Sequence, residues 1–191
     1  MESSKSVLKK IFLISTTIAL IGGGCSSAPA PTVEVTLAPG FAWYENKEAG
    51  FSIQYPTAWE KKENENKNAP VQFLSPAENA TDLFRENINI IVGEKPPQNL
   101  SFDDILGSLE SNIKNFKLEA KTTETIAMGE AKTVVYITNL TNGDKTYDLK
   151  IRQTYVRGKN NFYVITYTSE AANYAKFTAD ADTMIRSFKS N

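Results

Sequence analysis

The side chains able to do chemistry in this sequence are carboxylates and cations, because it contains no histidine and a single cysteine, Cys25. Without an imidazole there is no Ser-His-Asp or Cys-His nucleophile, no His-ligated zinc, and no side chain that ordinarily titrates near neutrality. Acid–base work would fall to carboxylate pairs. A hydrolytic pair needs two acids roughly 5 to 9.5 Å apart across a cleft. Asp103 and Asp104 are adjacent at the start of a helical pattern, so they diverge by about 100° and sit where the helix dipole favours negative charge. Asp180 and Asp182 stand two apart on a second helical pattern and point to different faces. Asp144 and Asp148 flank a turn and, with Glu130, are the best oxygen donors for a divalent cation, but no calcium-loop spacing accompanies them. No catalytic residue, metal site or cofactor is expected. The alternatives to a binding protein are a carrier of a divalent cation or small ligand, and a carboxylate-dependent hydrolase.

One strand pattern carries the candidate binding residues. Over residues 146–156, Tyr147, Leu149, Ile151 and Tyr155 alternate with Asp148, Lys150, Arg152 and Thr154, so one face is apolar and the other charged. A charged row is not expected beneath a helix, and this face is expected to be partly open. It is then either solvated with cross-strand charge pairs or a docking surface. On the docking reading the partner-binding residues are Lys150 and Arg152 with Tyr163 and Tyr167 nearby, since Arg and Tyr often anchor interfaces.

The elements that position these groups follow from periodicity. Period-two stretches predict strands at 51–55, 71–74, 87–92, 118–127, 131–139, 146–156 and 162–168, with a polar loop over 61–68. Met128-Gly129-Glu130, Asn142-Gly143-Asp144 and Arg157-Gly158-Lys159-Asn160 supply hairpin turns, which makes an antiparallel meander. Phe102, Ile105, Leu106, Leu109, Ile113 and Phe116 form one apolar stripe, predicting a helix over 101–117 that Ser101 and Asp104 cap. Tyr174, Phe177, Ala181, Met184 and Phe188 predict a second helix over 170–189. Each stripe must be buried against a sheet, so the expected class is α+β, an α/β/α sandwich with helices packed on a central antiparallel sheet.

The chain has 191 residues with 21 basic and 22 acidic side chains, a net charge of −1 and hydrophobic residues at 41%. That composition suits one globular domain and lacks the basic block of a nucleic-acid binder. With one cysteine no internal disulfide is possible, and a monomer is expected. Lys5, Lys9 and Lys10 precede an apolar run over 11–21 that three glycines end. The run suits a secretory signal and is too short to span a bilayer. Cys25 follows those glycines directly, and the junction resembles the lipobox of bacterial and archaeal lipoproteins. Gly22 stands where that motif prefers leucine. The resemblance implies a signal peptide over 1–24, acylation of Cys25 with fatty acids such as palmitate, and anchorage on the extracytoplasmic side of the cell membrane. Residues 25–39, rich in small residues and Pro, read as a tether reaching up to about 40 Å. The folded domain is expected over 40–191.

The string Gly50-Phe51-Ser52-Ile53-Gln54-Tyr55-Pro56-Thr57-Ala58-Trp59 resembles the opening signature of the PsbP family. The following order is also similar: a helix after an Ile/Val-rich strand, a long hairpin region, and a C-terminal helix closing on Ile185-Arg186-Ser187-Phe188. The resemblance implies the α/β/α sandwich shared with a Ran-binding nuclear import factor. It also implies a non-catalytic role as an accessory or assembly factor for a membrane-associated protein partner. In photosynthetic members that partner is photosystem II, and the cyanobacterial form is a lipoprotein. Metal proposals for plant members involve histidine, which this chain lacks. Read as physics alone, Pro56 ends its strand and Trp59 folds back over the sheet.

Overall fold

A computed structural model of the chain describes residues 35–80, 82–94 and 99–190. The segment expected to be a signal peptide, Cys25 and most of the expected tether lie outside these residues. Phe41–Asn46 (β1) and Phe51–Pro56 (β2) pair antiparallel, and the two-residue strand Lys189–Ser190 (β10) joins the other side of β2. The main sheet has seven antiparallel strands. It is built from Glu60–Glu63 (β3), Val71–Leu74 (β4), Asn87–Glu94 (β5), Lys117–Ile126 (β6), Gly129–Asn142 (β7), Lys145–Arg157 (β8) and Asn161–Glu170 (β9), in the order β3-β4-β5-β9-β8-β7-β6. Two α-helices complete the described fold, Phe102–Asn112 (α1) and Thr178–Ser187 (α2). Among the described residues no helix is long and apolar enough to cross a membrane.

The turn chemistry accounts for the meander. Gly143 lies at φ 60 in the β7–β8 turn, a backbone region that costs an L side chain energy and glycine almost nothing. Gly158, in the β8–β9 turn, is required for a different reason. A Cβ there would come within 2.9 Å of the Tyr163 ring and 3.0 Å of the Ser190 hydroxyl, so the last strand closes onto this turn only because no side chain intervenes.

The main sheet buries both faces. One packs against the small sheet and α2 around Phe51, Ile53, Phe73, Ile90, Ile165, Met184 and Phe188. The other packs against α1 around Ile105, Leu109, Val134, Tyr136, Leu149 and Ile151, with Phe84 beside them. The α+β class and the central antiparallel sheet hold. The expected sandwich of helix, sheet and helix is corrected in its first layer, where three short strands share the cover with one helix. Both helices are shorter than their stripes suggest. Residues 113–116 lie outside α1 with Asn115 at φ 55, and 174–176 form a single 3-10 turn before α2 begins.

Trp59 is buried and meets Phe177 edge-on at 5.8 Å, in agreement with the structural reading of its motif. Tyr163 ties the two sheets together. Its hydroxyl donates to the carbonyl oxygens of Ala49 at 2.9 Å and Gly50 at 3.1 Å, in the turn between β1 and β2. The Asn161 amide also donates to Ala49 O, so Tyr163→Phe leaves that carbonyl one partner. We expect a loss of about 1 kcal/mol of stability, read as a lower urea midpoint at unchanged slope.

Candidate functional site

The four residues expected to form a docking surface lie on the sheet face covered by α2 and the small sheet. The registers Arg152↔Tyr167 and Lys150↔Ser169 place them in adjacent rows, as the alternation requires. The face is not open, and this corrects the expectation. Tyr163 and Tyr167 are core residues with side chains 2% and 0% exposed. Arg152 is buried as well, and its guanidinium donates to Glu124 of β6 at 2.8 Å and to Asp182 of α2. Burial alone would pull the guanidinium down, but Glu124 and Asp182 outweigh it and hold it above its ordinary value. Lys150 is half-buried, 2.7 Å from Glu119 and 4.7 Å from the Tyr174 ring centre. The charged row is therefore an internal network that fastens a helix and an edge strand to the sheet. The strand pattern showed the charges but not the partners that neutralise them, because Glu119, Glu124 and Asp182 come from distant segments.

The carboxylates are similarly committed. Asp104 caps α1, its side chain accepting from Ser101 N at 3.0 Å while Asp104 N donates to Ser101 Oγ at 3.1 Å. The Ser101 hydroxyl, which donates to the carboxylate at 2.6 Å, and the Ser101 N–H hold the carboxyl below the usual range. Glu130 opens β7 and Asp144 lies in the turn beyond the far end of that 14-residue strand, so they cannot converge on one ion. Among the described residues no group of three or more His, Cys, Asp or Glu is placed to hold a metal.

A concave feature of the described residues is an open cleft of ≈ 530 Å³ on the other face, at the N-terminus of α1. Its wall is made by Phe102 from the helix and by Tyr155 and Phe162 from the β8–β9 hairpin, whose rings lie 6.1 Å apart. Lys132, Glu130 and Arg157 supply the charges. The local sequence explains the assembly. The Ser101 cap fixes where α1 starts, which sets Phe102 over the sheet. The registers Lys132↔Tyr155 and Arg157↔Phe162 bring the remaining groups level across three strands. Lys132 lies 5.2 Å from the centre of the Phe102 ring, with Lys121 on the same ring at 5.6 Å, a spacing at which cation and ring attract. Burial pushes the Tyr155 phenol up, so it stays neutral, and it donates to Gln153 Oε1 at 2.7 Å. The site offers aromatic faces, fixed cations and one acid, which suits recognition. Sequence reasoning identified Tyr155 and Phe102 as apolar-stripe residues but not the cleft, because the helix crosses above the hairpin at a place no local pattern encodes.

The profile of the family described as PsbP-like protein matches residues 32–190. No curated protein matches the sequence. Several solved structures share the fold. Cyanobacterial PsbP from Synechocystis sp. PCC 6803 is 13% identical with a TM-score of 0.55, covering 86% of this chain and 100% of that one. The Saccharomyces cerevisiae Ran-binding protein Mog1p is 10% identical at 0.53, covering 78% and 95%. LpqN, involved in cell envelope biogenesis of Mycobacterium tuberculosis, is 9% identical at 0.51, covering 80% and 85%. At these identities the likeness is one of fold.

Proposed function

Because the chain belongs to the PsbP-like protein family, we propose that it is an extracytoplasmic, lipid-anchored module that binds a membrane-associated protein and carries out no catalysis. The observation that carries this reading is the cleft of Phe102, Tyr155 and Phe162 edged by Lys132 and Arg157. Aromatic faces bordered by cations suit a peptide segment that presents an apolar side chain beside a carboxylate. Two proteins of the same fold fit a binding or envelope role by description, one as a Ran-binding protein and one as involved in cell envelope biogenesis. They support the reading by analogy alone. The anchor rests on the apolar run over 11–21 and the Gly22-Gly23-Gly24-Cys25 junction that follows it.

The test places a photoreactive phenylalanine at position 162 in the cleft, and in a second protein at position 83, where the native leucine is 71% exposed. Both are expressed in native membranes and irradiated. A cross-linked species formed from 162 and absent from 83, and lost when Lys132→Glu is added, is the expected result. Equal products from both positions, or none from 162, overturn the proposed site.

A further inference from the structure

The outer face of the small sheet carries a feature that the binding cleft does not use. Trp43 is 39% exposed on β1, on the side opposite the core residue Tyr44. Its cross-strand partner is Gln54, whose side chain accepts from Ala38 N and donates to Thr36 O, both at 2.8 Å. Residues expected to belong to the flexible tether are thus fastened across the sheet. Leu37, between the two fastened residues, is 53% exposed. Lys189 of β10 lies 5.3 Å from the Trp43 ring centre. Glu45 is the exposed acid on this side of β1. The patch is therefore an aliphatic side chain and an indole beside the Lys189 cation, where the described residues begin.

We propose that this face rests on the headgroup layer of an anionic bilayer. The inference builds on the anchored reading above. Tryptophan, with an apolar body and one N–H, favours the membrane–water boundary, and Lys and Arg extend their charges towards anionic headgroups while their stems cover apolar surface. Leu37 follows Cys25 by twelve residues, a span of at most about 37 Å when extended, so an anchor at Cys25 keeps this face within reach of the membrane. A consequence follows from the layers. The small sheet and α1 cover opposite faces of the main sheet, so the cleft beside α1 faces away from the bilayer, towards whatever projects beyond it.

The test uses the full chain purified from membranes and reconstituted in phosphatidylcholine–phosphatidylglycerol vesicles, with and without brominated acyl chains. The chain has two tryptophans, and Trp59 is buried in the core, so quenching by lipid reports Trp43. Expected are a shift of emission to shorter wavelength on reconstitution, loss of intensity with brominated lipid, and loss of that quenched component in Trp43→Phe. Lys189→Glu is expected to reduce the quenching. Flotation of the vesicles reads the anchor separately. Protein that floats with vesicles but shows unquenched Trp43 emission overturns the resting face and leaves the anchor standing. Protein that neither floats nor is quenched overturns both.

Discussion

Arg152→Met is expected to lower the unfolding free energy by about 3 to 5 kcal/mol, the range for removing one partner of a buried ion pair. The side chain of Arg152 is 10% exposed, that of Glu124 19% and that of Asp182 36%. Asp182 can rehydrate at the surface when the cation is lost. Glu124 cannot do so as readily. The hydroxyls of Thr133 and Thr154 lie beside its carboxylate, but neutral donors do not replace a guanidinium. Arg152 Nε has no acceptor among the described residues, which makes the network an incomplete one whose net worth is smaller than the cost of breaking it. The double variant Arg152→Met with Glu124→Gln is therefore expected to regain much of the loss, with a non-additive coupling in the double-mutant cycle. Urea unfolding followed by circular dichroism checks both. A loss below about 1 kcal/mol for Arg152→Met would place the guanidinium in the regime of solvated pairs, and would restore the idea of an open charged row.

The same row shows how far the sequence alone could be read. Alternation placed Tyr147, Leu149 and Ile151 on one face and Lys150 and Arg152 on the other, and the register confirms it. Period two is a property of the strand itself. What lies over a face is decided by segments far away in sequence, so Asp182 and Glu124 could not be deduced from the strand. The same limit applies to Glu60–Glu63, which looked like part of a polar loop because an exposed edge strand has no apolar face to alternate. It applies again to Phe41–Asn46, whose apolar residues follow a Pro-rich stretch and whose pairing with β2 was not visible locally. Turns were legible, since Gly129 and Gly143 adopt the positive φ that their hairpins demand. Helix starts were legible where a cap announces them, at Ser101. The other helix limits were not, because Phe116 continues the apolar period beyond the end of α1 and Tyr174 begins it before the start of α2, both as half-buried residues beside the cores.

The second large effect concerns Glu86, which is fully buried and, among the described residues, has no cation acting on its carboxyl. Ser75 Oγ donates to one carboxylate oxygen at 3.3 Å. Ser169 Oγ stands 3.3 Å from the other, but its single proton is directed at Glu170 O, 2.7 Å away. An ionised Glu86 is therefore supplied by its own backbone N–H and Ser75 Oγ, neither of them a cation, and burial outweighs both; a protonated Glu86 can donate to Ser169. Burial raises its carboxyl above the ordinary value, and the charges of Glu78 and Asp82 add to the rise. The sign of the linkage follows from proton counts. Between the unfolded pKa of about 4.3 and the raised folded one, the native state binds more protons, so this group makes stability fall as pH rises through that window. Above the folded pKa the loss is complete. Glu60 and Asp104 are held low by Arg85 and Ser101 respectively and act in the opposite sense, losing their contributions as pH falls. The comparison must therefore be the variant against the wild type at each pH. Glu86→Gln keeps the shape, and its amide N–H can donate to Ser169 Oγ. It is expected to stabilise the protein at neutral pH by about 1 to 3 kcal/mol, the cost of an unsatisfied buried polar group, and to gain little below pH 4. Urea midpoints measured from pH 4 to 8 check this. A difference that does not grow with pH, or a variant less stable than wild type at pH 8, would mean that the carboxylate is ionised and well supported where it lies.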